Sequence, residues 1–376
     1  MQPDSLCFHL YLVGNHIIRN SYLNLEIEMI FSKRIRIGES VLDNASKTFI
    51  IAEAGVNHNG DLDRAREMID VACESGVDAV KFQSFIAKEL ILSNVDLAAY
   101  QKENLKEDGT QFKMLKKLEV PVEKMLGLKE YTEKRGLVFL TTPFDQISLD
   151  LLDVCDLDAY KVASTDTTNL MFLRKIAAKG KPILLSTGMT YLTEIEYVLQ
   201  ELSEINKDII LLHCTSNYPT PPHEVNLEIL KVFREKFGII TGFSDHTQGI
   251  GASPYSLMYG AKVIEKHFTL DKTLPGPDHV ASLEPAELRS LVKTIREAEK
   301  FIGQGLKYPS ISELGTRASL QKSIIAGKII KQGEIFREDD LNAKRTGGVG
   351  IPALYVDKII GRKALKDYNR DDLIEI

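Results

Sequence analysis

The stretch IITGFSDHTQGIGASPYSLMYGAKVIEKHFT (239–269) holds two short apolar runs, Ile239 to Phe243 and Ala261 to Ile264, and each gives way to residues that can do chemistry. Ser244, Asp245 and His246 follow the first, and Glu265, Lys266 and His267 follow the second. A parallel strand covered on both faces reads as a near-continuous hydrophobic run, so the stretch predicts strand, connection, strand. Six earlier runs have the same form. Phe49 to Ala54 carries Glu53, Val77 to Phe82 carries Lys81 and leads to Gln83, and Leu137 to Leu140 leads to Thr141 and Thr142. Ala159 to Ala163 carries Lys161 and leads to Ser164, Pro182 to Leu185 leads to Ser186 and Thr187, and Ile209 to Leu212 leads to His213. Between them lie stretches of helical spacing such as Leu62-Ala65-Met68-Ile69-Ala72-Cys73 and Leu288-Leu291-Val292-Ile295-Ala298. Alternation of the two periods predicts βα units. Eight of them predict an α/β fold, a TIM (β/α)8 barrel, in which catalytic groups come from the C-terminal ends of the strands.

The 376 residues have room for a barrel of roughly 250 residues and a small further domain. Residues 1–28 read as an extension outside the domains: their apolar patch, Leu10 to Val13, lacks the early positive charges and small-residue site of a signal peptide. The barrel is expected over 29–302. Gly, Pro and Ser in 303–317 predict a linker, and the short β runs of 318–376 predict a compact β-rich domain near the lower size limit for an independent core. The connection from Ser84 to Arg135 is long and rich in charge, which suits a lid or a substrate-binding excursion.

Composition excludes several classes. A net charge of −6 argues against a general nucleic-acid-binding role. Cys7, Cys73, Cys155 and Cys214 form no close pair, so neither a zinc knuckle nor a disulfide framework is indicated, and a reducing cytoplasm fits best. No apolar stretch approaches the roughly 18 residues of a membrane span, and no phosphate-loop or dinucleotide glycine pattern stands between strand and helix.

The residues at the strand ends point to a site. His246 and His267 are 21 residues apart, one βα unit, so two imidazoles converge at the barrel mouth. With Glu265 nearby they suit a divalent metal of the manganese, zinc or cobalt type, whereas magnesium favours oxygen ligands. Lys81, Lys161, Thr142, Ser164, Ser186 and Ser244 form a set of cations and small hydroxyls fit for a phosphate or carboxylate. Glu53 supplies a carboxylate opposite the histidines, and Asp278, on the Pro275-Gly276-Pro277-Asp278-His279 loop, offers a hydroxyl acceptor. His213 reads equally as a site residue or a packed strand-end histidine.

Assembled, these residues resemble the N-acetylneuraminate (sialic acid) synthase family, enzymes that condense phosphoenolpyruvate with an N-acylated mannosamine-type sugar. The matching text is IIAEAGVNHNGD (50–61), DAVKFQ (78–83), TTPFD (141–145), YKVAS (160–164), LSTGM (185–189), HCTSNYPTP (213–221), GFSDHT (242–247), IEKHFT (264–269), PGPDH (275–279) and KR-x-G (344–347). The resemblance implies His246 and His267 as metal ligands, for manganese first and for magnesium or cobalt otherwise. It implies Lys81, Gln83, Thr142, Lys161, Ser164, Ser186, Ser216 and Ser244 as phosphoenolpyruvate contacts, and Tyr218 and Asp278 as sugar contacts. Glu53, Lys161 and Asp166 become the catalytic candidates. The C-terminal part resembles the antifreeze-like (SAF, β-clip) module, and Arg345 matches an arginine that this module delivers to the other subunit of a swapped homodimer.

The function that the resemblance implies is synthesis of N-acetylneuraminate from N-acetylmannosamine, with legionaminic acid, a 6-deoxy diacetamido relative, or pseudaminic acid as the alternative product. Asp166 stands where sialic acid synthases carry Glu, and Ser216 where some carry Asn, so either the pocket takes another sugar, which keeps that alternative open, or the backbone compensates. More distant readings are a Schiff-base pyruvate aldolase using Lys161 and a non-catalytic carbohydrate- or ice-binding protein.

Overall fold

All eight expected strands form, and their alternation builds the barrel from inside and outside at once. A computed structural model describes residues 29–105, 109–303 and 305–376; the segment 1–28, read above as an extension, lies outside the described residues. The chain divides into two units, Met1–Ile302 and Gly303–Ile376. The first opens with a hairpin of β1 (Ile35–Ile37) and β2 (Ser40–Leu42). The barrel strands follow as β3 (Phe49–Gly55), β4 (Ala79–Ser84), β5 (Val138–Pro143), β6 (Tyr160–Val162), β7 (Ile183–Ser186), β8 (Ile209–Cys214), β9 (Ile240–Asp245) and β10 (Val263–His267). They run parallel in the order β5-β4-β3-β10-β9-β8-β7-β6, and β5 lies beside β6 to close the ring.

Successive side chains of a strand point to opposite faces. Ile50, Ala52, Val80, Phe139, Val162, Leu185, Leu211 and Ile264 therefore share the large cluster with helical residues such as Met68, Leu173, Leu199 and Leu291. The alternate positions Ile51, Ala79, Leu140, Ala159, Leu184, Ile210, Leu212 and Val263 form a separate inner cluster with Ile35, Ile37 and Leu42 of the hairpin, which plugs one end of the barrel. Ile210 is wholly enclosed, so truncating it to Ala would cost about 2–5 kcal/mol.

The same period of two carries the inward face on to polar residues. Glu53 follows Ile51, Lys81 follows Ala79, Thr142 follows Leu140, Lys161 follows Ala159, Ser186 follows Leu184, and Glu265 and His267 follow Val263, each in steps of two. The register pairs Glu53 with both Lys81 and His267, Gln83 with Thr142, and Glu265 with Ser244.

The long connection after β4 is helical. Ala87–Leu90, Ala99–Leu105 and Gln111–Leu118 precede Val122–Lys134, which packs against β5. In the second unit, β11 (Lys322–Ala326) pairs antiparallel with β12 (Leu341–Arg345), and isolated bridges tie Ile330 to Tyr368 and Ile335 to Lys363 around a core of Ile324, Ile330, Phe336, Ile359 and Tyr368. Inside the expected linker 303–317 a helix begins, Ile311–Leu320. Ser310 and Glu313 form a reciprocal capping box that satisfies backbone donors at its start, which outweighs the breaker character of Gly315. Among the described residues no helix is long and apolar enough to cross a membrane.

Candidate active site

The inward polar residues meet in a cavity of about 580 Å³ at the C-terminal mouth of the barrel, within the usual size for a small-molecule site. Its floor is a row of alternating buried charges. Glu53 Oε2 lies 2.8 Å from Lys81 Nζ, which is 3.7 Å from Glu265 Oε2, and Glu265 Oε1 is 3.5 Å from Lys161 Nζ. Lys81 also donates to Thr142 Oγ1 at 3.0 Å, Ser244 Oγ donates to Glu265 Oε1 at 2.9 Å, and Gln83 Nε2 donates to Glu53 Oε1 at 3.3 Å. Buried charges persist when paired and hydrogen-bonded, and here each carboxylate touches a lysine.

The environment pushes the two carboxylates apart. Burial raises Glu53 to about 7, helped by Glu265 and opposed by Lys81. Burial would raise Glu265 too, yet Lys161, Lys81 and the Ser244 hydroxyl hold it down at about 2. Lys81 is raised because Glu265 and Glu53 outweigh its burial. Burial lowers Lys161, with Glu265 only partly restoring it. Two carboxylates with separated titrations suit a proton carrier beside a fixed anion. Burial also raises Asp278 to about 6.

The histidines stand at one side of this floor. Their ring centroids are 5.6 Å apart, and the Tyr218 ring lies 4.0 Å from His246. His246 Nδ1 is 2.8 Å from the Thr215 carbonyl; donating there leaves Nε2 with its lone pair. His267 Nδ1 is buried and has no hydrogen-bond partner among the described residues. Burial, then His246 and Lys81, keep the His267 ring neutral by lowering its pKa well below the ordinary value. The orphaned nitrogen of the neutral His267 ring fits a divalent transition-type ion. Burial would lower His246 as well, but Cys214 and the Thr215 carbonyl raise it above its ordinary value, so it would release a proton on joining as a ligand. No group of three or more His, Cys, Asp or Glu ligands occurs among the described residues, so such an ion would take its other ligands from solvent or substrate.

Thirteen expected site residues line the cavity: Glu53, Lys81, Gln83, Thr142, Lys161, Ser164, Ser186, Ser216, Tyr218, Ser244, His246, His267 and Asp278. Gly188 brings two of them together: its N–H donates to Ser164 Oγ at 2.9 Å, and a Cβ there would stand 2.2 Å from Ser216 Oγ. Asp166 is not on the cavity wall. Its carboxylate accepts from Asn169 Nδ2 at 3.0 Å and Thr165 Oγ1 at 3.4 Å, beside the start of the helix Leu170–Ala178. Arg345 is exposed on β12 of the second unit. His213 bonds the Val225 carbonyl, stacks on Phe243 and is absent from the wall.

Sequence reasoning treated Glu265 as a neighbour of the histidines and missed its place between two lysines, as well as Cys214, 3.7 Å from His246 Nδ1. It also missed the outer wall. Val56, Phe85 and Leu118, with Leu90, Met114, Leu115 and Phe144 packed on them, form an apolar cluster whose members all face the cavity. Five of the seven come from the connection between β4 and β5, and the spacing of Met114, Leu115 and Leu118 was the available signal.

Fold and site together define an α/β-barrel enzyme with a lysine-carboxylate-imidazole centre. Residues 68–307 match the NeuB family model, and the chain belongs to the NeuB family. It is 46% identical over 331 residues to the N,N'-diacetyllegionaminic acid synthase of Campylobacter jejuni, covering 87% of this chain and 99% of that protein. With the protein of the same name from Legionella pneumophila it is 42% identical over 320 residues, or 84% of this chain and 90% of that one. Among solved structures it resembles the N-acetylneuraminic acid (sialic acid) synthetase of Leptospira borgpetersenii, with a TM-score of 0.70 and 34% identity over 77% of this chain and 98% of that chain.

Proposed function

We propose that the protein condenses phosphoenolpyruvate with 2,4-diacetamido-2,4,6-trideoxymannose and water to give N,N'-diacetyllegionaminic acid and phosphate. The observation that carries this reading is the 46% identity to a legionaminic acid synthase across nearly its whole length, against 34% to a sialic acid synthetase. It moves the product from N-acetylneuraminate, which the sequence motifs favoured, to the alternative. The reducing cytoplasm, where phosphoenolpyruvate is available, suits the free thiols of Cys73, Cys155 and Cys214.

In this reading Lys81 and Lys161 compensate the phosphate and carboxylate of phosphoenolpyruvate, and Thr142, Ser164, Ser186 and Ser244 hydrogen-bond its oxygens. Ser186 Oγ, buried without a partner among the described residues, is free to do so. His246 and His267 would hold the divalent metal, manganese first, which would supply Lewis-acid polarisation of the sugar's C1 aldehyde. The phosphoenolpyruvate methylene carbon attacks that C1, water adds to C2, and C–O cleavage expels phosphate. Glu53, titrating about 7 beside Lys81, exchanges the proton of the incoming water. Glu265 stays ionised and holds both lysines. Asp166, turned away from the cavity, supports the Ser164 turn.

The second unit is proposed as the antifreeze-like module of a swapped homodimer, with Arg345 reaching the partner subunit's cavity. Mixing Glu53→Gln and Arg345→Ala subunits tests it. A swapped dimer regains about a quarter of wild-type activity from mixed pairs with one intact site, and no recovery would rule the swap out. The reaction itself is tested by phosphate release from phosphoenolpyruvate with Mn²⁺. Turnover of the diacetamido sugar well above that of N-acetylmannosamine supports it, and the reverse preference returns the assignment to N-acetylneuraminate.

A further inference from the structure

The outer half of the cavity has a chemistry that phosphoenolpyruvate does not explain. That cosubstrate is small and anionic, and the buried lysines and hydroxyls of the floor satisfy it. Below the floor the barrel is closed by Leu140, Leu184, Ile210 and their neighbours. A sugar whose C1 meets the methylene carbon beside His246 and His267 must therefore run its remaining carbons outward. There it meets the apolar face of the helical insertion, where Leu90, Met114 and Leu115 are only half buried and Phe144 stands edge-on to Phe85 at 6.3 Å. The two amides on this side each have an arm engaged in holding the insertion: Gln101 Oε1 accepts from Ala98 N at 2.9 Å, and Gln111 Nε2 donates to the Asp96 carbonyl at 3.0 Å.

We infer that this wall is the specificity device of the sugar site, receiving the far end of the open chain and selecting a methyl at C6 over a hydroxymethyl. A hydroxyl placed there loses its water and gains an apolar neighbour, whereas a methyl buries surface at no polar cost. The inference rests on the proposed reading that phosphoenolpyruvate takes the floor. It goes beyond that reading by assigning discrimination to Met114 and Leu115, which pack on the apolar cluster of the wall.

The test uses two sugars that differ only at C6, 2-acetamido-2,6-dideoxymannose and N-acetylmannosamine, with kcat/KM measured for each on the full-length enzyme with Mn²⁺. The wild type should favour the deoxy sugar by about 10- to 100-fold, the range over which hydrophobic pockets discriminate small groups. Met114→Gln and Leu115→Gln, taken singly, should draw that ratio toward one while the KM for phosphoenolpyruvate stays unchanged, and Met114→Leu should keep it. A wild-type ratio near one, or a ratio unmoved in both Gln variants, overturns the wall's role, and the wild-type ratio decides alone if a variant does not fold. Failure of the underlying reading is separate: it shows as no phosphate release with these sugars or with the diacetamido sugar, and takes the wall's role with it. Turnover of the diacetamido sugar with no C6 discrimination sinks only the wall.

Discussion

The cavity floor takes its polar groups from strand ends whose directions are set by register, whereas the outer wall takes apolar side chains from a helical insertion between β4 and β5. On the floor, a shift of one residue would turn Lys81 or Glu265 into the helix layer, so position is coupled to the whole barrel. On the wall, Met114 and Leu115 sit on an eight-residue helix that can change its side chains without disturbing that register. One region is suited to keep a reaction and the other to vary a substrate.

If this division is right, floor variants lose the reaction and wall variants change only the sugar. The largest expected effect is that of Glu265→Gln, which leaves Lys81 and Lys161 buried with one shared counter-charge fewer. Removal of such a preorganised electrostatic group costs roughly 10²–10³-fold in kcat, read by phosphate release. A loss confined to the KM for the sugar would erase the distinction between floor and wall. Next is His267→Ala, which should weaken Mn²⁺ binding by calorimetry more than about 100-fold, since even residues that only support a ligand are worth 10–100-fold. Chelation of the wild type should abolish turnover and leave the folded state intact.

A smaller effect comes from pH. The folded-state pKa of Glu53 is raised from 4.5 to about 7, so between these values the folded protein holds a proton that the unfolded chain releases. This group's contribution to stability therefore falls as pH rises through that window. Glu53→Gln should flatten the unfolding midpoint of the metal-free protein against pH between those limits; an unchanged slope would place the titration elsewhere. The smallest effect belongs to Asp166→Ala. Turned from the cavity, it should leave kcat/KM within about threefold while costing about 1 kcal/mol for lost hydrogen bonds. A floor-sized loss of activity would return Asp166 to the reaction.

Much of the floor was legible beforehand because a strand's period of two is visible in one dimension. Once Ile51, Ala79 and Leu140 are taken as inward, Glu53, Lys81 and Thr142 follow. Asp166 was harder to place for a related reason: it lies beyond the end of β6 (Tyr160–Val162) in a 3₁₀ turn, Ser164–Asp166, where that period no longer applies. The insertion was visible as a long charged connection, but not as an apolar wall. Its charged residues, such as Lys113, Lys116 and Lys117, face outward, and only packing shows what lies beneath.

The sequence by itself determined the barrel, the strand-end set of lysines, hydroxyls and imidazoles, and the family, because these are written as local periods and contiguous motifs. The tertiary structure alone decided that Glu265 sits between two lysines and that Val56, Phe85, Met114 and Phe144 share one face of the cavity. Those facts depend on distances between residues far apart in the chain, and burial then sets the charge state that each carboxylate carries.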